Sequence, residues 1–236
     1  MIRLLKLPAK FLVGIYNSFI PKNAVTDSGN TSLNEIREYA SKRTDISDHL
    51  EILYLEATRI RPELILELGV RTGESTFALE RAARQTDATL ISLDMEPTSY
   101  VSDWENWYFV QEDDLKFAHR FHLFAVERGL KPEIDFLFLD TSHTYEHTKR
   151  ELDVWLPFLS TTGIAVFHDT NLGWLFRRRD GSIGGGWNNS RGVIRALQEY
   201  LGVSWDEKAH YSGENGTFAI EHIPDCNGLT ILRKKH

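Results

Sequence analysis

The stretch ELILELGVRTGEST, residues 63–76, decides the fold. Its first half is an apolar run with the length and composition of a buried strand, and its second half has the pattern of a helix start. Gly69 and Gly73 lie between the two halves, where a tight turn favours residues without a Cβ. A strand that passes through such a turn into a helix is the repeating unit of α/β proteins, so we expect the same alternation downstream.

The alternation continues along the chain. After the first strand at 63–70, further strands are predicted at 89–95, 107–111, 134–140 and 163–168. Helical spacing of apolar residues predicts helices at 74–85, 115–128, 145–159 and 193–201. Right-handed crossovers between such strands produce a mostly parallel sheet with helices on both faces. The sequence therefore predicts a doubly wound α/β fold, preceded by N-terminal helices.

Residues 171–192 interrupt this alternation with six glycines and four arginines. Trp174 and Trp187 lie in the same segment. A loop of this length is usually functional or disordered, so we expect either a lid over a bound molecule or a solvated loop. We divide the chain into a helical appendage, 1–62, and one α/β domain, 63–236, that carries this Gly/Arg-rich loop.

Composition excludes several classes of protein. The chain has 236 residues, a formal net charge of −7 and a single cysteine. One cysteine rules out an internal disulfide framework and a multi-thiolate zinc site. The acidic balance argues against nucleic-acid binding, which needs clustered basic residues. No apolar run reaches the roughly 18 residues of a transmembrane helix, so we expect a cytoplasmic globular protein.

The first 22 residues carry a charge of the opposite sign. They contain four basic residues and no acidic one, so the remainder of the chain carries −11, which is −7 minus +4. The same segment is rich in apolar residues, which would suit an anionic membrane surface. We favour a helix docked on the core or on a second subunit over peripheral membrane contact, and we expect a homo-oligomer.

Acidic side chains follow the predicted strands at their carboxyl ends, where ligands bind in open parallel sheets. They are Glu67, Asp94, Asp113, Asp114, Asp140 and Asp169. The first of them lies beside a G-x-x-x-G turn, which differs from the G-x-G-x-x-G of dinucleotide sites. A carboxylate beside that turn would repel a pyrophosphate and would suit a cationic amine.

Two of these positions suit a nucleoside. Asp94 ends the second strand, where an acid can accept hydrogen bonds from both ribose hydroxyls. Asp113 and Asp114 follow the third strand and could reach an adenine amine. The structural alternatives are a solvated acid for Asp94 and a helix N-cap for Asp113 or Asp114.

Asp140 and Asp169 end neighbouring predicted strands and should converge. Two adjacent carboxylates repel each other unless a cation lies between them, and an oxygen-rich site of this kind suits Mg²⁺, Mn²⁺ or Ca²⁺. His143 could reach the same point as a general base. Helix capping by Asp140 and a packed imidazole for His143 are the structural alternatives.

Together these motifs resemble class I S-adenosylmethionine-dependent methyltransferases. The segment ILELGVRTGEST with LISLDMEP is similar to the first motifs of small-molecule O-methyltransferases of the catechol type. The segment 136–170, FLFLDTSHTYEHTKRELDVWLPFLSTTGIAVFHDT, resembles a bacterial branch of sugar O-methyltransferases and cephalosporin-hydroxylase-like proteins. The resemblance covers residues 63–170 well and 190–233 loosely. It implies a Rossmann-like, seven-stranded sheet.

The resemblance also implies roles for individual residues. S-adenosylmethionine would be bound by Glu67, Gly69, Thr72, Gly73, Ser75, Asp94, Met95, Asp113 and Asp114. Asp140 and Asp169 would match two ligands of a divalent metal, with Mg²⁺ as the expected ion. Asp140 and His143 would be the catalytic residues. The third metal ligand stays open among His168, Thr170 and Asn171.

The predicted function is therefore O-methyl transfer to a hydroxyl of a small molecule, such as a sugar, a phenol or another natural-product acceptor. Two alternatives remain. One is a nicotinamide-dependent oxidoreductase, which the glycine spacing and Glu67 disfavour. The other is a methyltransferase-like domain that binds without catalysis, which Asp140, His143 and Asp169 disfavour.

Overall fold

The structure is a computed structural model that describes residues 9–21 and 29–235. Most of the polar segment 23–32, which has the composition of a linker, and the first part of the basic N-terminal segment lie outside the described residues. Three helices precede the sheet: α1 (Ala9–Ser18), α2 (Thr31–Ala40) and α3 (Leu50–Ile60). Asn30 caps α2 by accepting a hydrogen bond from the Leu33 amide at 3.0 Å.

Five parallel strands form the main part of the sheet. They are β1 (Leu64–Leu68), β2 (Thr89–Asp94), β3 (Trp107–Gln111), β4 (Ile134–Leu139) and β5 (Leu159–His168). Their spatial order is β3-β2-β1-β4-β5, so the strand order reverses at β1 and the carboxyl ends of β1 and β4 lie side by side. This is the position at which doubly wound sheets bind ligands. The predicted α/β fold class is confirmed.

The sheet has eight strands rather than the seven that were predicted. Three antiparallel strands extend it beyond β5, in the order β10 (Leu229–Lys234), β9 (Phe218–Ile223), β8 (Tyr211–Glu214). The sequence indicated apolar stretches near 203–211 and 228–232 but not β9. In β9 buried and half-buried residues alternate, which is typical of an antiparallel strand with one solvated face and gives only a weak apolar signal.

Helices cover both faces of the sheet. After the first three they are α4 (Glu74–Thr86), α5 (Asp114–Ala118), α6 (Phe121–Glu127), α7 (Tyr145–Trp155) and α8 (Gly192–Leu201). The helix predicted over 115–128 is two helices, because the backbone of Arg120 leaves the helical region at φ −119° and ψ 2°. One apolar core, centred on Phe117, Phe121 and Trp155, lies on the face of α5–α8. A second core lies against α2–α4 on the other face.

The segment 171–192 is not an irregular loop throughout. It contains an antiparallel hairpin of β6 (Leu175–Arg177) and β7 (Ile183–Gly185). The aromatic ring of Phe176 lies against Gly184, and a Cβ there would collide with the ring. Asn17 and Arg43 hold the hairpin against the N-terminal part of the chain. No helix in the described part of the chain is long and apolar enough to cross a membrane.

Candidate active site

A pocket of about 530 Å³ opens at the carboxyl ends of β1, β2 and β4. Its volume lies within the range of about 300–1,000 Å³ that small-molecule sites occupy. Seven of the residues predicted from the sequence line it: Gly69, Thr72, Asp94, Met95, Asp114, Asp140 and His143. Glu67, Gly73, Ser75, Asp113, His168 and Asp169 do not line it.

The glycine turn that forms the floor of the pocket is held by Asp94. Its Oδ2 accepts hydrogen bonds from the backbone amides of Val70 and Arg71, each at 2.8 Å, and its Oδ1 accepts one from the Glu96 amide at 2.9 Å. Gly69 adopts φ +93°, and a Cβ at this position would collide with the carbonyl oxygen of Asp140. The glycine turn therefore contacts both the end of β2, at Asp94, and the loop after β4, at Asp140.

Glu67 lies beneath the turn rather than on the pocket wall, contrary to the sequence-based expectation. Its side chain is fully buried and accepts hydrogen bonds from Ser75 at 2.6 Å, Thr76 at 2.9 Å and Ser92 at 2.6 Å. Burial raises the pKa of the Glu67 carboxyl to about 7, and the three hydroxyls oppose that rise. Both Glu67 and Ser75 thus support the turn from below and do not reach a molecule in the pocket.

Gly73 and Asp113 have structural places as well. Gly73, at φ +83°, lies directly against the side chain of Val101. Asp113 is the N-cap of α5 and accepts a hydrogen bond from the Lys116 amide at 3.0 Å. The capping alternative considered for Asp113 is the one that the geometry matches, whereas Asp114 faces the pocket.

Two residues that contact the Asp114 region, His147 and Glu151, were not predicted from the sequence. Oδ1 of Asp114 lies 2.9 Å from Nε2 of His147, and Glu151 Oε1 lies 3.6 Å from the same nitrogen. Thr141 donates a hydrogen bond to Glu151 at 2.7 Å. Burial first and then Asp114 raise the pKa of Glu151 to about 8, so this carboxyl is mostly protonated at neutral pH. The i, i+4 spacing of His147 and Glu151 on one face of α7 was the available signal.

Asp140, His143 and Asp169 converge beside the pocket. Nδ1 of His143 lies 3.1 Å from Asp169 Oδ2 and 3.7 Å from Asp140 Oδ1. Both His143, at φ 56°, and Asp169, at φ 57°, adopt the left-handed region that non-glycine residues rarely occupy. Strained backbone of this kind is common at active sites, where the surrounding structure holds it in place.

His168 lies behind the two carboxylates. Its Nδ1 is 3.3 Å from Asp140 Oδ1 and 3.2 Å from Asp169 Oδ1, and its side chain is almost fully buried. Burial alone would lower the pKa of His168, but Asp169 and Asp140 outweigh burial and raise it to about 9. Burial would likewise raise the pKa of Asp140, but His168 and His143 lower it to about 2. A protonated His168 therefore compensates the charge of the two acids from the buried side.

The donor set at this point fits a divalent cation. Ligand atoms of Asp140, His143 and Asp169 all lie within 4.8 Å of one another. Asp169 Oδ1 is buried, and no described residue meets hydrogen-bond geometry with it, although Nδ1 of His168 lies 3.2 Å away. Two carboxylates and an imidazole nitrogen suit divalent metals that accept oxygen and nitrogen ligands. The third donor atom of this cluster belongs to His143, which the sequence placed as a general base, and not to His168, Thr170 or Asn171, among which the third ligand was left open.

A second cleft, of about 660 Å³, is lined in part by the loop that follows the β6–β7 hairpin. Trp174, Asn188 and Asn189 are among its lining residues. Trp187, next to Asn188 in the chain, brings its ring centroid to 5.9 Å from that of His143. The loop 187–189 therefore contacts His143 and also lines this cleft.

Three of the four arginines of segment 171–192 have partners within the chain. Arg178 donates to the carbonyl oxygen of Thr44 at 2.9 Å, Arg179 lies 3.3 Å from Asp225, and Arg191 lies 2.7 Å from Glu207. These contacts hold the segment against the rest of the protein. Arginines in such a segment would suit an acceptor that bears phosphate or carboxylate, but these three are engaged within the chain.

Residues 66–170 match the family model described as a methyltransferase domain. The chain therefore carries a methyltransferase domain over these residues. The match covers β1 to β5 with the helices between them, and it includes both the 530 Å³ pocket floor and the Asp140–His143–Asp169 cluster. The expected enzyme class, S-adenosylmethionine-dependent methyl transfer, is confirmed for this methyltransferase.

Solved methyltransferase structures share the fold at low sequence identity. The methyltransferase PaMTH1 of Podospora anserina, bound to S-adenosylhomocysteine, is 16% identical with a TM-score of 0.56 over 100% of both chains. An O-methyltransferase from Bacillus cereus, in complex with S-adenosylhomocysteine, is 13% identical with a TM-score of 0.55 over 94% of this chain and 96% of its own.

A third similar structure belongs to a longer protein. The methyltransferase MycE, in complex with Mg, S-adenosylhomocysteine and mycinamycin VI, is 18% identical with a TM-score of 0.58. The similarity covers 89% of the present chain and 55% of MycE. At these identities the likeness establishes the Rossmann-like methyltransferase fold.

Proposed function

We propose that this methyltransferase transfers the methyl group of S-adenosylmethionine to a hydroxyl oxygen of a small molecule, a sugar or a related natural-product acceptor. The observation that carries the proposal is the contact of His143 Nδ1 with Asp169 at 3.1 Å, on the wall of the 530 Å³ pocket. An imidazole held by a carboxylate at the edge of a cofactor-sized pocket is suited to remove a proton from an acceptor.

The pocket residues would bind the cofactor. Gly69 and Thr72 would lie along its methionine part, Asp94 would accept from the ribose hydroxyls, and Met95 would pack nearby. Asp114 would bind the adenine end of the cofactor. Its Oδ2 makes no hydrogen bond to any described residue and can accept one from the exocyclic amine of adenine. Glu67 and Ser75 would act indirectly, by holding the turn in shape.

In the proposed reaction, the acceptor oxygen attacks the methyl carbon in line as the carbon–sulfur bond breaks, and S-adenosylhomocysteine leaves. His143 takes the hydroxyl proton, and Asp169 stabilises the imidazolium that results. Because Nδ1 faces Asp169, Nε2 is the nitrogen available to the acceptor. Proton removal of this kind contributes about 10²–10⁴-fold to the rate, and in-line positioning contributes much of the rest.

Asp140 and Asp169 are the residues that would hold a divalent metal. His143, whose Nδ1 pairs with Asp169 in this proposal, would act as the base and not as a ligand. A bound cation would fix the acceptor oxygen and lower its pKa. The Mg in the MycE structure supports this part of the proposal by analogy of fold.

The 660 Å³ cleft is the proposed acceptor site. Asn188 and Asn189 offer amide groups, and Nδ2 of the buried Asn189 makes no hydrogen bond to a described residue. Trp174, with 71% of its surface exposed, offers a flat apolar face at the same cleft. Amides beside an indole match the hydroxyls and the apolar face of a sugar ring.

The test is a methyl-transfer assay with isotope-labelled S-adenosylmethionine and separate panels of glycosides and phenols. Each reaction is run with Mg²⁺, with Mn²⁺ and with EDTA. Formation of a methylated glycoside only when metal is present supports the whole proposal. Product formed equally well in EDTA would show that the reaction does not need a metal. Tight S-adenosylhomocysteine binding in calorimetry with no product from either panel would contradict transfer to these acceptors.

A further inference from the structure

Helix α1 has two faces with different surroundings. Val13, Asn17 and Ile20 lie on one face at spacings of four and three, and each of them is half-buried. The other face, which we name the α1 stripe, consists of Leu12, Ile15, Tyr16 and Phe19, including the turn that follows the helix. The stripe has the i, i+3, i+4, i+7 spacing of an apolar helix face.

The docked face is held mainly by polar contacts. Asn17 donates to the carbonyl oxygen of Ile183 at 2.7 Å and accepts from the amide of the same residue at 2.8 Å. Arg43 donates to the carbonyl oxygens of Ile20 at 2.9 Å and Pro21 at 3.1 Å. These contacts fix the side of α1 that faces the protein and leave Leu12, Ile15 and Phe19 of the α1 stripe turned outward. Tyr16, at the edge of the stripe, also donates its hydroxyl to the carbonyl oxygen of Gly181 at 3.4 Å.

The α1 stripe is exposed to solvent. The exposed fractions are 52% for Leu12, 42% for Ile15, 40% for Tyr16 and 80% for Phe19. The hairpin on which α1 docks also exposes its Leu175 by 60%. A patch of large apolar side chains at one place indicates a surface that binds a partner.

The distribution of charge identifies the partner. Residues 1–22 carry four basic residues and no acidic one, whereas the rest of the chain carries −11, from −7 minus +4. An anionic surface therefore repels the body of the protein and attracts only this segment. A second copy that paired stripe against stripe would bring two segments of like charge together, which disfavours that alternative.

We propose that the α1 stripe lies on the surface of an anionic lipid bilayer, with its apolar side chains at the boundary of the acyl chains. The net positive charge of residues 1–22 then favours contact with the anionic headgroups. Attachment is peripheral, since no helix in the part of the chain that the structure describes could span a bilayer. The inference is independent of methyl transfer and extends the function to a location at a membrane surface.

The test is flotation of the purified full chain with vesicles, one set of phosphatidylcholine alone and one with phosphatidylglycerol added. The wild type floats with the anionic vesicles and not with the neutral ones, and salt near 1 M releases it because the Debye length falls to about 3 Å. The double variant Leu12→Ser/Phe19→Ser loses at least about tenfold in binding, because two large apolar side chains no longer leave water.

The matched control is Leu123→Ser/Val126→Ser, which changes two side chains on α6 with exposed fractions of 63% and 53%. This variant keeps wild-type flotation if the stripe is the binding surface. Wild-type protein that stays in solution with anionic vesicles overturns the proposal. Equal loss of vesicle binding in both double variants also overturns it. A third contradicting result is a wild-type protein that binds no vesicles, is a dimer by light scattering, and becomes a monomer in Leu12→Ser/Phe19→Ser.

Discussion

His143 and Asp169 come from the loops that follow β4 and β5, and they meet with Nδ1 of His143 at 3.1 Å from Oδ2 of Asp169. Both residues have positive φ angles, of 56° and 57°. The parallel pairing of β4 with β5 brings the two loops to one edge of the sheet. The left-handed backbone then turns both side chains toward each other, so the contact depends on topology and on two local conformations.

Asp94 combines two tasks, and its removal tests both. Asp94→Ala leaves the amides of Val70 and Arg71 without their acceptor and removes the proposed ribose contact. Hydrogen bonds to a charged group contribute about 1.5–3 kcal/mol each, so we expect S-adenosylhomocysteine to bind at least about tenfold more weakly. Calorimetric titration measures the change. The exposed Asp103→Ala is the control, and unaltered affinity in Asp94→Ala would remove Asp94 from the cofactor site.

Gly69 is required by a close approach as well as by its backbone angle. In Gly69→Ala the new Cβ collides with the carbonyl oxygen of Asp140, whereas Gly129→Ala, at a similar positive φ of +71°, meets no atom. The control should therefore lose about 1–2 kcal/mol from the unfavourable φ alone, and Gly69→Ala about 1–3 kcal/mol more. Urea unfolding of both variants gives the comparison. Equal losses would show that the approach to Asp140 relaxes without cost.

Glu67 makes stability depend on pH. Its pKa rises on folding from an ordinary value of 4.5 to about 7 because it is buried, so the folded state holds the proton more tightly. This stabilisation is complete below the unfolded pKa and disappears as the pH rises through the folded pKa. Within that window it amounts to at most about 1.4 kcal/mol per pH unit.

Glu67→Gln should make the decline in stability between about pH 5 and pH 7 shallower, since glutamine stays uncharged and can still bond the hydroxyls, while Glu151 still contributes to that decline. The decline between about pH 7 and pH 8 should persist, because Glu151, with a pKa raised to about 8, is unchanged. The free energy of unfolding in urea at several pH values tests this. A profile of Glu67→Gln parallel to the wild type would mean that Glu67 does not titrate in this range.

Arg43 joins α1 to the β6–β7 hairpin. Its guanidinium lies 2.8 Å from Asp180 and also donates to the carbonyl oxygens of Ile20 and Pro21. Arg43→Ala leaves the mostly buried Asp180 without its partner, so we expect faster trypsin cleavage at the exposed Arg177 and Arg179.

The control for Arg43→Ala is Arg59→Ala, whose side chain is 55% exposed and pairs within one helix with Glu56. Mass spectrometry of the fragments locates the cuts. Cleavage at the same rate in all three proteins would show that the hairpin does not depend on Arg43. Slower wild-type cleavage with S-adenosylhomocysteine present would support the lid that the sequence suggested.

The parallel part of the fold could be predicted from the sequence because β1, β2, β4 and β5 are buried on both faces. Buried parallel strands such as LILEL give continuous apolar runs, which a sequence shows directly. The hairpin of β6 and β7 could not be predicted. Its strands have three residues each, and what holds them is Phe176 against Gly184 and contacts to distant residues such as Asn17.

The candidate site could likewise be predicted only in part. Residues that follow a strand directly, such as Asp94 and Asp140, could be placed at the pocket because the end of a strand fixes their position. The direction of a side chain depends on neighbours that are distant in sequence. Glu67 was therefore expected at the pocket, whereas its carboxylate accepts hydrogen bonds from three hydroxyls below the turn. His147 and Glu151 were missed because their role comes from Asp114, which is distant in sequence.

The central claim is that His143 removes the acceptor proton, and the most direct measurement compares His143→Ala with the exposed His122→Ala on α6. Turnover with the glycoside or phenol that the panel identifies is measured together with S-adenosylhomocysteine affinity. We predict that His143→Ala lowers kcat by about 10²–10⁴-fold with cofactor affinity nearly unchanged, while His122→Ala behaves as the wild type. Wild-type turnover in His143→Ala would contradict the account.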